Sequence, residues 1–319
     1  MIPLHFNLQL VQFFVDHRNL AFTRLFITAS FFGSATFYAF LTILLYVMWD
    51  KHQAVRLSIV ILLTMAFNDV LKIFLQNPRP FVREGTYLKE WAVSPATAKA
   101  LAADYSTPSG HAMGSSAFYG YFLTLVRSRF VRVVFVLGIV FIGVSRAYLG
   151  VHYVEDVLLG WVIGLSIAFL AIRYTGWLAK LWAKCSYGWQ IVIAAAASLA
   201  VSLLTAAIHG GRIDGQVREL VANCGFLTGI VIACPLELRV VNFNPRSSEP
   251  TAKILRYGLT IAMTAFVLFG LKSAFRSLAS DATALGCALE HLRYVAADVT
   301  ALFLAPLIFC KLRLAEKAP

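Results

Sequence analysis

The chain has 319 residues, of which 59% are hydrophobic and 14% charged, with a mean hydropathy of +0.73 and a formal net charge of +12. Soluble domains run at about 45–50% apolar and about 25% charged residues, and no single globular core of this length hides so much apolar surface from water. An ordinary soluble enzyme, a disordered regulator and a disulfide-stapled secreted module are excluded, and the composition points to a protein whose solvent is lipid.

In chain order, the first apolar run is interrupted by Asp16, His17 and Arg18. Residues 8–30 therefore read as an amphipathic segment at the membrane surface rather than a secretory signal. Beyond it, apolar runs of about 20 residues recur, the length that spans a hydrocarbon core about 30 Å thick. They fall at residues 31–49, 55–75, 111–126, 131–149, 153–172, 189–208, 220–238, 254–271 and 292–310. The runs are too long for barrel strands and lack strict alternation. The predicted fold is all-α, a polytopic membrane helix bundle of about nine transmembrane helices. The long segment 76–110 between the second and third runs has the length of a lid or binding element. Within it, Ser94-Pro95 and the Ala-rich sequence to Tyr105 predict a capped short helix. An aromatic connector with Trp177, Trp182, Tyr187 and Trp189 near lysines marks a seam after the fifth run. The expected organisation is an interfacial segment over 1–30, a core bundle over 31–175 and an additional four-helix membrane region over 176–319 with no role assigned.

Basic residues are scattered between the apolar runs and form no compact patch, so no nucleic-acid partner is expected. Lys51 and Arg56, Arg127, Arg129 and Arg132, Arg173, Lys180 and Lys184, Arg239, Arg246, Lys253 and Arg256, and Lys311, Arg313 and Lys317 all fall on alternate turns. The positive-inside rule makes that side cytoplasmic. Cys185, Cys224, Cys234, Cys287 and Cys310 show no C-x-x-C spacing and argue for neither zinc nor a disulfide framework.

Ionisable groups at membrane depth are costly, so each needs a reason. Lys72 and Arg79-Pro80 end the second run, Pro108-Ser109-Gly110-His111 opens the third, Ser145-Arg146 closes the fourth, and His152 with Asp156 opens the fifth. Following the chain up and down, all of these lie at the non-cytoplasmic face, where the cations and imidazoles suit a phosphate-like anion. Lys72 and Arg79 share a face if the helix continues between them. Arg offers a planar fork and Lys a point charge to phosphate oxygens. Gly110 permits close backbone approach, and free N–H groups at a helix start attract anions. His152 and Asp156 share one helical face, so the carboxylate can hold one ring nitrogen protonated and direct the other's lone pair outward.

The pattern Lys72-x6-Arg79-Pro80, Pro108-Ser109-Gly110-His111 and Ser145-Arg146-x5-His152-x3-Asp156 resembles the type 2 phosphatidic acid phosphatase superfamily. All three signature segments are present in order, and the resemblance covers residues 31–172. The layout is also similar to glucose-6-phosphatase, and the Leu-Lys-x6-Arg-Pro and Ser-Arg-x-Tyr-Leu-Gly-x-His segments to sphingosine-phosphate phosphatases and bacterial lipid phosphatases. The resemblance implies that His152 attacks phosphorus to form a phosphohistidine, oriented by Asp156. It implies that His111 protonates the leaving alkoxide and then activates water. Lys72, Arg79 and Arg146, with the Ser109 hydroxyl and the Gly110 N–H, would stabilise the equatorial oxygens without a metal or other cofactor.

The leading expectation is therefore a membrane phosphatase acting on a lipid phosphate monoester or diphosphate, with its site on the non-cytoplasmic side of the plasma (inner) membrane. Open beside it stand a lipid phosphotransferase, a sugar-phosphate phosphatase of the glucose-6-phosphatase type, and a lipid transporter or scaffold. The residues leave the oligomeric state open. Lys72 has a competing partner in Asp69 one turn earlier. Arg83 reads as a solvated loop charge and Asp298 as a helix–helix hydrogen bond, while Glu155 and the Glu290-His291 pair fit no motif.

Overall fold

The computed structural model describes residues 6–82, 101–102, 104–247 and 249–318. Among them the chain is helical, with no strand beyond an isolated bridge between Phe243 and Lys317. The helices are α1 (Gln9–Asp16), α2 (Leu20–Phe31), α3 (Ala35–Met48), α4 (Lys51–Leu75), α5 (Gly110–Phe122), α6 (Arg129–Tyr148), α7 (Val154–Trp182), α8 (Tyr187–Ile208), α9 (Gly215–Leu236), α10 (Pro250–Leu278), α11 (Ala284–Val299) and α12 (Ala305–Lys311). A 3₁₀ turn covers Pro80–Val82, and π-helical turns follow α9 at Glu237–Val241 and α11 at Thr300–Leu304. The expected short helix from Ser94 and the loop charge Arg83 lie outside the described residues, apart from a helical pair at 101–102.

Seven helices among the described residues are long and apolar enough to cross a membrane, or eight if α2 and α3, bent by 50°, form one span. The protein is a multi-pass membrane protein, and the described residues show seven or eight of the expected nine spans. Two runs account for the difference. The run at 111–126 yields α5, of 13 residues, which at 1.5 Å per residue is about 20 Å long and too short for a 30 Å core. The run at 31–49 yields α3, of 14 residues, because the chain turns at Phe32–Ser34 through i→i−3 hydrogen bonds. Residues 8–30 contain two helices, α1 and α2.

Helix ends follow local chemistry. The side chains of Asn19, Ser128, Ser186, Asp214 and Thr283 cap α2, α6, α8, α9 and α11 by accepting from backbone N–H groups. The α4 helix stops at Leu75 because Gln76 takes φ +49° and Pro78 follows. The α6 helix ends in a Schellman turn: Val151 N–H donates to Arg146 O at 3.1 Å and Gly150 N–H to Ala147 O at 3.0 Å, with Gly150 at φ +75°. That turn delivers Val151, His152 and Tyr153 to the start of α7.

The chain forms two compact units. The first contains Met1–Tyr38 and Thr64–Thr175. In it α7 presses against α5 through glycines: a Cβ on Gly160 would lie 2.9 Å from Ser109 O, and one on Gly164 would run into Ser116 and Met113. This small-residue seam lets the helices approach closely. Val11 of α1 is buried against Phe81, Tyr148, Leu149, Val151 and Tyr153, so the N-terminal segment packs directly on the turn that carries His152.

The second unit contains Ala39–Leu63 and Gly176–Pro319. Its α9 packs on α11, with Gly225 against His291 and Gly229 against Val295 and Asp298. Buried Lys51 Nζ donates to Glu237 at 3.1 Å, to Asn242 Oδ1 at 3.0 Å and to Phe243 O at 3.0 Å. Glu290 pairs with Arg218 and Arg293. For Asp298 a helix–helix hydrogen bond is expected; its Oδ2 is buried with no hydrogen-bond partner among the described residues. Large side chains such as Val192, Leu199, Leu203, Phe266 and Phe269 are exposed, as lipid-facing surfaces require.

Candidate active site

The Lys72, Arg79, His152 and Asp156 side chains meet at one place in the first unit. Lys72 ends α4, and Arg79 follows the break at Gln76. The two do not share a helical face, as continuation of the helix would have required, because the helix stops between them. They converge instead on Asp104. Lys72 Nζ donates to Asp104 Oδ1 at 3.0 Å and to Oδ2 at 2.9 Å, and Arg79 Nη2 makes a short ion pair with Asp104 Oδ2. Asp104, not Asp69, is thus the carboxylate seen on Lys72.

Arg79 reaches further. Its Nη1 donates to Val151 O at 2.9 Å and lies 3.1 Å from His152 Nε2. A guanidinium can only donate, so Nε2 carries a lone pair and the ring proton sits on Nδ1. On that side the ring faces Asp156 Oδ2 and Ser106 Oγ, each at 3.4 Å. Asp156 is fully buried and accepts from Ser106 Oγ at 2.5 Å, Thr107 Oγ1 at 2.5 Å and Tyr153 N–H at 2.9 Å. Burial, followed by the charges of Arg79, Arg146 and Lys72, holds His152 well below the ordinary imidazole range. Burial would raise Asp104, but Lys72 and Arg79 outweigh it and keep that carboxyl below its usual value.

The segment before α5 is tied down from several directions. Asn77 Nδ2 donates to Thr107 Oγ1 at 2.8 Å, Ser106 N–H to Asn77 O at 2.8 Å and Asn68 Nδ2 to Pro108 O at 3.1 Å. Ser109 N–H donates to Asp156 O at 3.1 Å, which joins the α5 start to the first turn of α7. A Cβ on Gly110 would sit 3.1 Å from Asn68 Oδ1, so a larger residue crowds this corner. Half-buried His111 lies in the field of Arg146, His152, Arg79 and Lys72, and its ring edge faces Gly33.

Arg146 closes α6 and is 7% exposed; its Nη1 makes a short hydrogen bond to Ser30 Oγ. Three buried donors here, Arg79 Nε, Arg146 Nε and Ser109 Oγ, have no partner among the described residues. Leaving such a group unpaired costs about 1–3 kcal/mol. A cluster of unpaired donors beside three cations has the chemistry of an oxyanion receptor.

A model of the PAP2 superfamily matches residues 53–180, and one of the PAP2 superfamily phosphatase transmembrane extension matches residues 221–317. The chain belongs to the PAP2 superfamily. Among its relatives, the undecaprenyl-diphosphatase of Sulfolobus acidocaldarius is 31% identical over 120 residues, 37% of this chain and 53% of that protein. Phosphatidylglycerophosphatase B of Bacillus subtilis is 39% identical over 95 residues, covering 26% and 47%. Human sphingosine-1-phosphate phosphatase 2 is 31% identical over 169 residues, covering 50% and 39%. The chain spans about half the length of the curated relatives it matches. Four contributors to the site escaped the sequence pattern. Ser106 and Thr107 directly precede Pro108-Ser109-Gly110-His111, and that adjacency was a usable signal. Asp104 and Ser30 carried none. Ser30, Gly33 and α1 also fall outside both PAP2 matches.

Proposed function

We propose that the protein is an integral membrane phosphatase that hydrolyses a phosphorylated lipid, a monoester or a diphosphate, through a phosphohistidine at His152. The observation that carries this reading is the single cluster in which Arg79 adjoins His152 Nε2, buried Lys72 meets Arg79 on Asp104, and Asp156 stands behind Nδ1. The three relatives support a lipid substrate, since each is named for a phosphorylated lipid.

Neutral His152 attacks phosphorus through the Nε2 lone pair. As the N–P bond forms, the P–O bond to the lipid breaks, and His111 gives its proton to the departing oxygen. Water then attacks the phosphohistidine and passes a proton to His111. The N–P bond breaks, and inorganic phosphate leaves with both imidazoles restored. Asp156 keeps the ring proton on Nδ1 throughout. Lys72, Arg79 and Arg146, with the Ser109 hydroxyl and the Gly110 N–H, act on the non-bridging oxygens as charge moves onto them.

In this reading residues 31–175 are the phosphatase core, 1–30 an interfacial segment and 176–319 an additional membrane region. The loop charges favour a site on the non-cytoplasmic face of the plasma membrane. The test is phosphate release from phosphatidic acid and an isoprenyl diphosphate in detergent micelles, with acid-labile, base-stable phosphoenzyme trapped in a rapid quench. His152→Ala should abolish both signals while the protein stays folded. Phosphate release by that variant at the native rate refutes the mechanism.

A further inference from the structure

Asp104 lies outside the three signature segments, yet its carboxylate occupies the place where an anion would meet the clamp. It holds Lys72 through both oxygens at 3.0 and 2.9 Å and holds Arg79 in a short ion pair. Through Arg79 it stands one guanidinium away from His152 Nε2, the other Arg79 terminus lying 3.1 Å from that atom. Lys72 and Arg79 are almost fully buried, whereas the Asp104 side chain is 20% exposed. The carboxylate is therefore the accessible member of the trio, entering from the edge of the site. We propose that Asp104 determines specificity: it is an internal anion that a doubly charged phosphoryl group displaces and a singly charged phosphodiester does not.

This inference rests on the phosphatase reading above and names the substrate class for the same site. A membrane surrounds such a site with phosphodiester headgroups in large excess over any phosphorylated substrate. Each diester carries one negative charge and two non-bridging oxygens, the same charge and the same number of acceptors as the Asp104 carboxylate. It gains no electrostatic advantage over a competitor already tethered in place, whose effective concentration is that of an intramolecular ligand. A terminal phosphate carries about −1.5 to −2 charges at pH 7 and three acceptor oxygens. It can bridge Lys72 and Arg79 as the carboxylate does and keeps a third oxygen for a further donor, of which Arg146 Nε and Ser109 Oγ are buried with no partner among the described residues. The terminal group of a diphosphate meets the same requirement. Because the two cations hold the Asp104 carboxyl below its usual value, the competitor stays ionised throughout the neutral range.

The experiment compares wild type with Asp104→Asn and Asp104→Glu in detergent micelles. Turnover of dioctanoyl phosphatidic acid gives KM, and inhibition by dioctanoyl phosphatidylglycerol, a phosphodiester, gives Ki. In Asp104→Asn the ratio of the diester Ki to the monoester KM should fall at least tenfold, driven by tighter diester binding. Asp104→Glu, which keeps the charge, should hold the ratio within about threefold of wild type. An unchanged ratio in Asp104→Asn overturns the proposal, as does equal weakening of both ligands, which marks Asp104 as a tether of its loop. Wild type alone also tests it: phosphatidylglycerol in hundredfold excess should leave phosphatidic acid turnover intact, and inhibition at equimolar diester overturns the proposal even if neither variant folds. If wild type neither turns over phosphatidic acid nor binds orthovanadate, the phosphatase reading itself has failed.

Discussion

Replacing Ser30 with Ala isolates the contribution of the N-terminal segment to the chemistry. The Ser30 hydroxyl accepts from Arg146 Nη1 in a buried setting, 116 residues away in the chain. Arg146 Nε has no partner among the described residues, so this hydroxyl is a principal fixture of the guanidinium plane. A hydrogen bond to a charged group contributes about 1.5–3 kcal/mol. If all of that is lost where charge develops on phosphorus, kcat/KM should fall roughly 10- to 150-fold. Ser30→Thr keeps the hydroxyl and should recover most of the loss. The assay is initial-rate phosphate release from phosphatidic acid, paired with orthovanadate inhibition and a thermal unfolding curve for each variant. A merely structural Ser30 would lower the unfolding temperature and leave kcat/KM per folded molecule untouched. Folded Ser30→Ala with kcat/KM within about twofold of wild type refutes the reasoning.

Two further outcomes follow from the histidine geometry. Asp156→Asn should cut kcat by on the order of 10⁴-fold, because an amide facing Nδ1 can donate and so move the ring proton to Nε2, removing the nucleophilic lone pair; phosphate release by a variant confirmed as folded is the measurement, and a loss of less than about tenfold would argue against the orienting role. The second outcome concerns pH. A histidine whose folded value lies below the ordinary 6.5 is neutral at 6.5 and binds its proton only at lower pH, so ¹⁵N-histidine NMR of the ligand-free protein should show the His152 ring neutral, with its proton on Nδ1, as pH falls through 6.5. A titration midpoint at or above 6.5 contradicts the burial and the cation field that surround the ring.

The legible part of this protein was the part written in local pattern. Runs of apolar residues mark helices wherever lipid is the solvent, so α4, α6 and α8 to α10 lie where hydropathy placed them, while α7 continues to Trp182 through part of the expected connector and the last run is divided between α11 and α12. The signature residues were legible because their spacing is fixed by helix ends that the same residues create: Pro80 and Gly150 mark turns, and His152 and Asp156 are one helical turn apart. What stayed hidden depends on tertiary approach. Segment 76–110 contains three acids, Glu84, Glu90 and Asp104, and nothing in the sequence around Asp104 marks it as a partner of Lys72. Ser30 is one small polar residue in an apolar stretch, and only the packing of α2 on α6 brings it to Arg146. The length of α5 was misjudged for a related reason. Hydropathy stays high to Val126, but the helix ends at Phe122, where residues 123–125 turn through i→i−4 and i→i−3 bonds. Apolar character alone does not say whether a residue continues a helix or folds back beside it.

The charges of the clamp explain why so much of its surroundings had to be built from residues outside the signature. Arg79 and Arg146 are 2% and 7% exposed, and a buried cation left without partners is strongly destabilising, by about 3–5 kcal/mol once its counter-charge is lost. Before any substrate arrives, the protein must supply acceptors of its own, and it supplies Val151 O to Arg79 and Ser30 Oγ to Arg146. Those neutral acceptors fix the guanidinium planes without cancelling their charge. Asp104 adds a full negative charge on Lys72 and Arg79, and its side chain is more exposed than either of theirs. An anion that replaces it should therefore find donors already oriented, with little reorganisation left to perform, which is the condition under which fixed dipoles and charges lower a barrier most. Orthovanadate, a phosphate-shaped anion, should accordingly raise the unfolding temperature of the first unit through mass action. The rise should be largest in Asp104→Asn, where the clamp lacks its own anion; a rise no larger than in wild type would mean that the carboxylate does not share the site with the ligand.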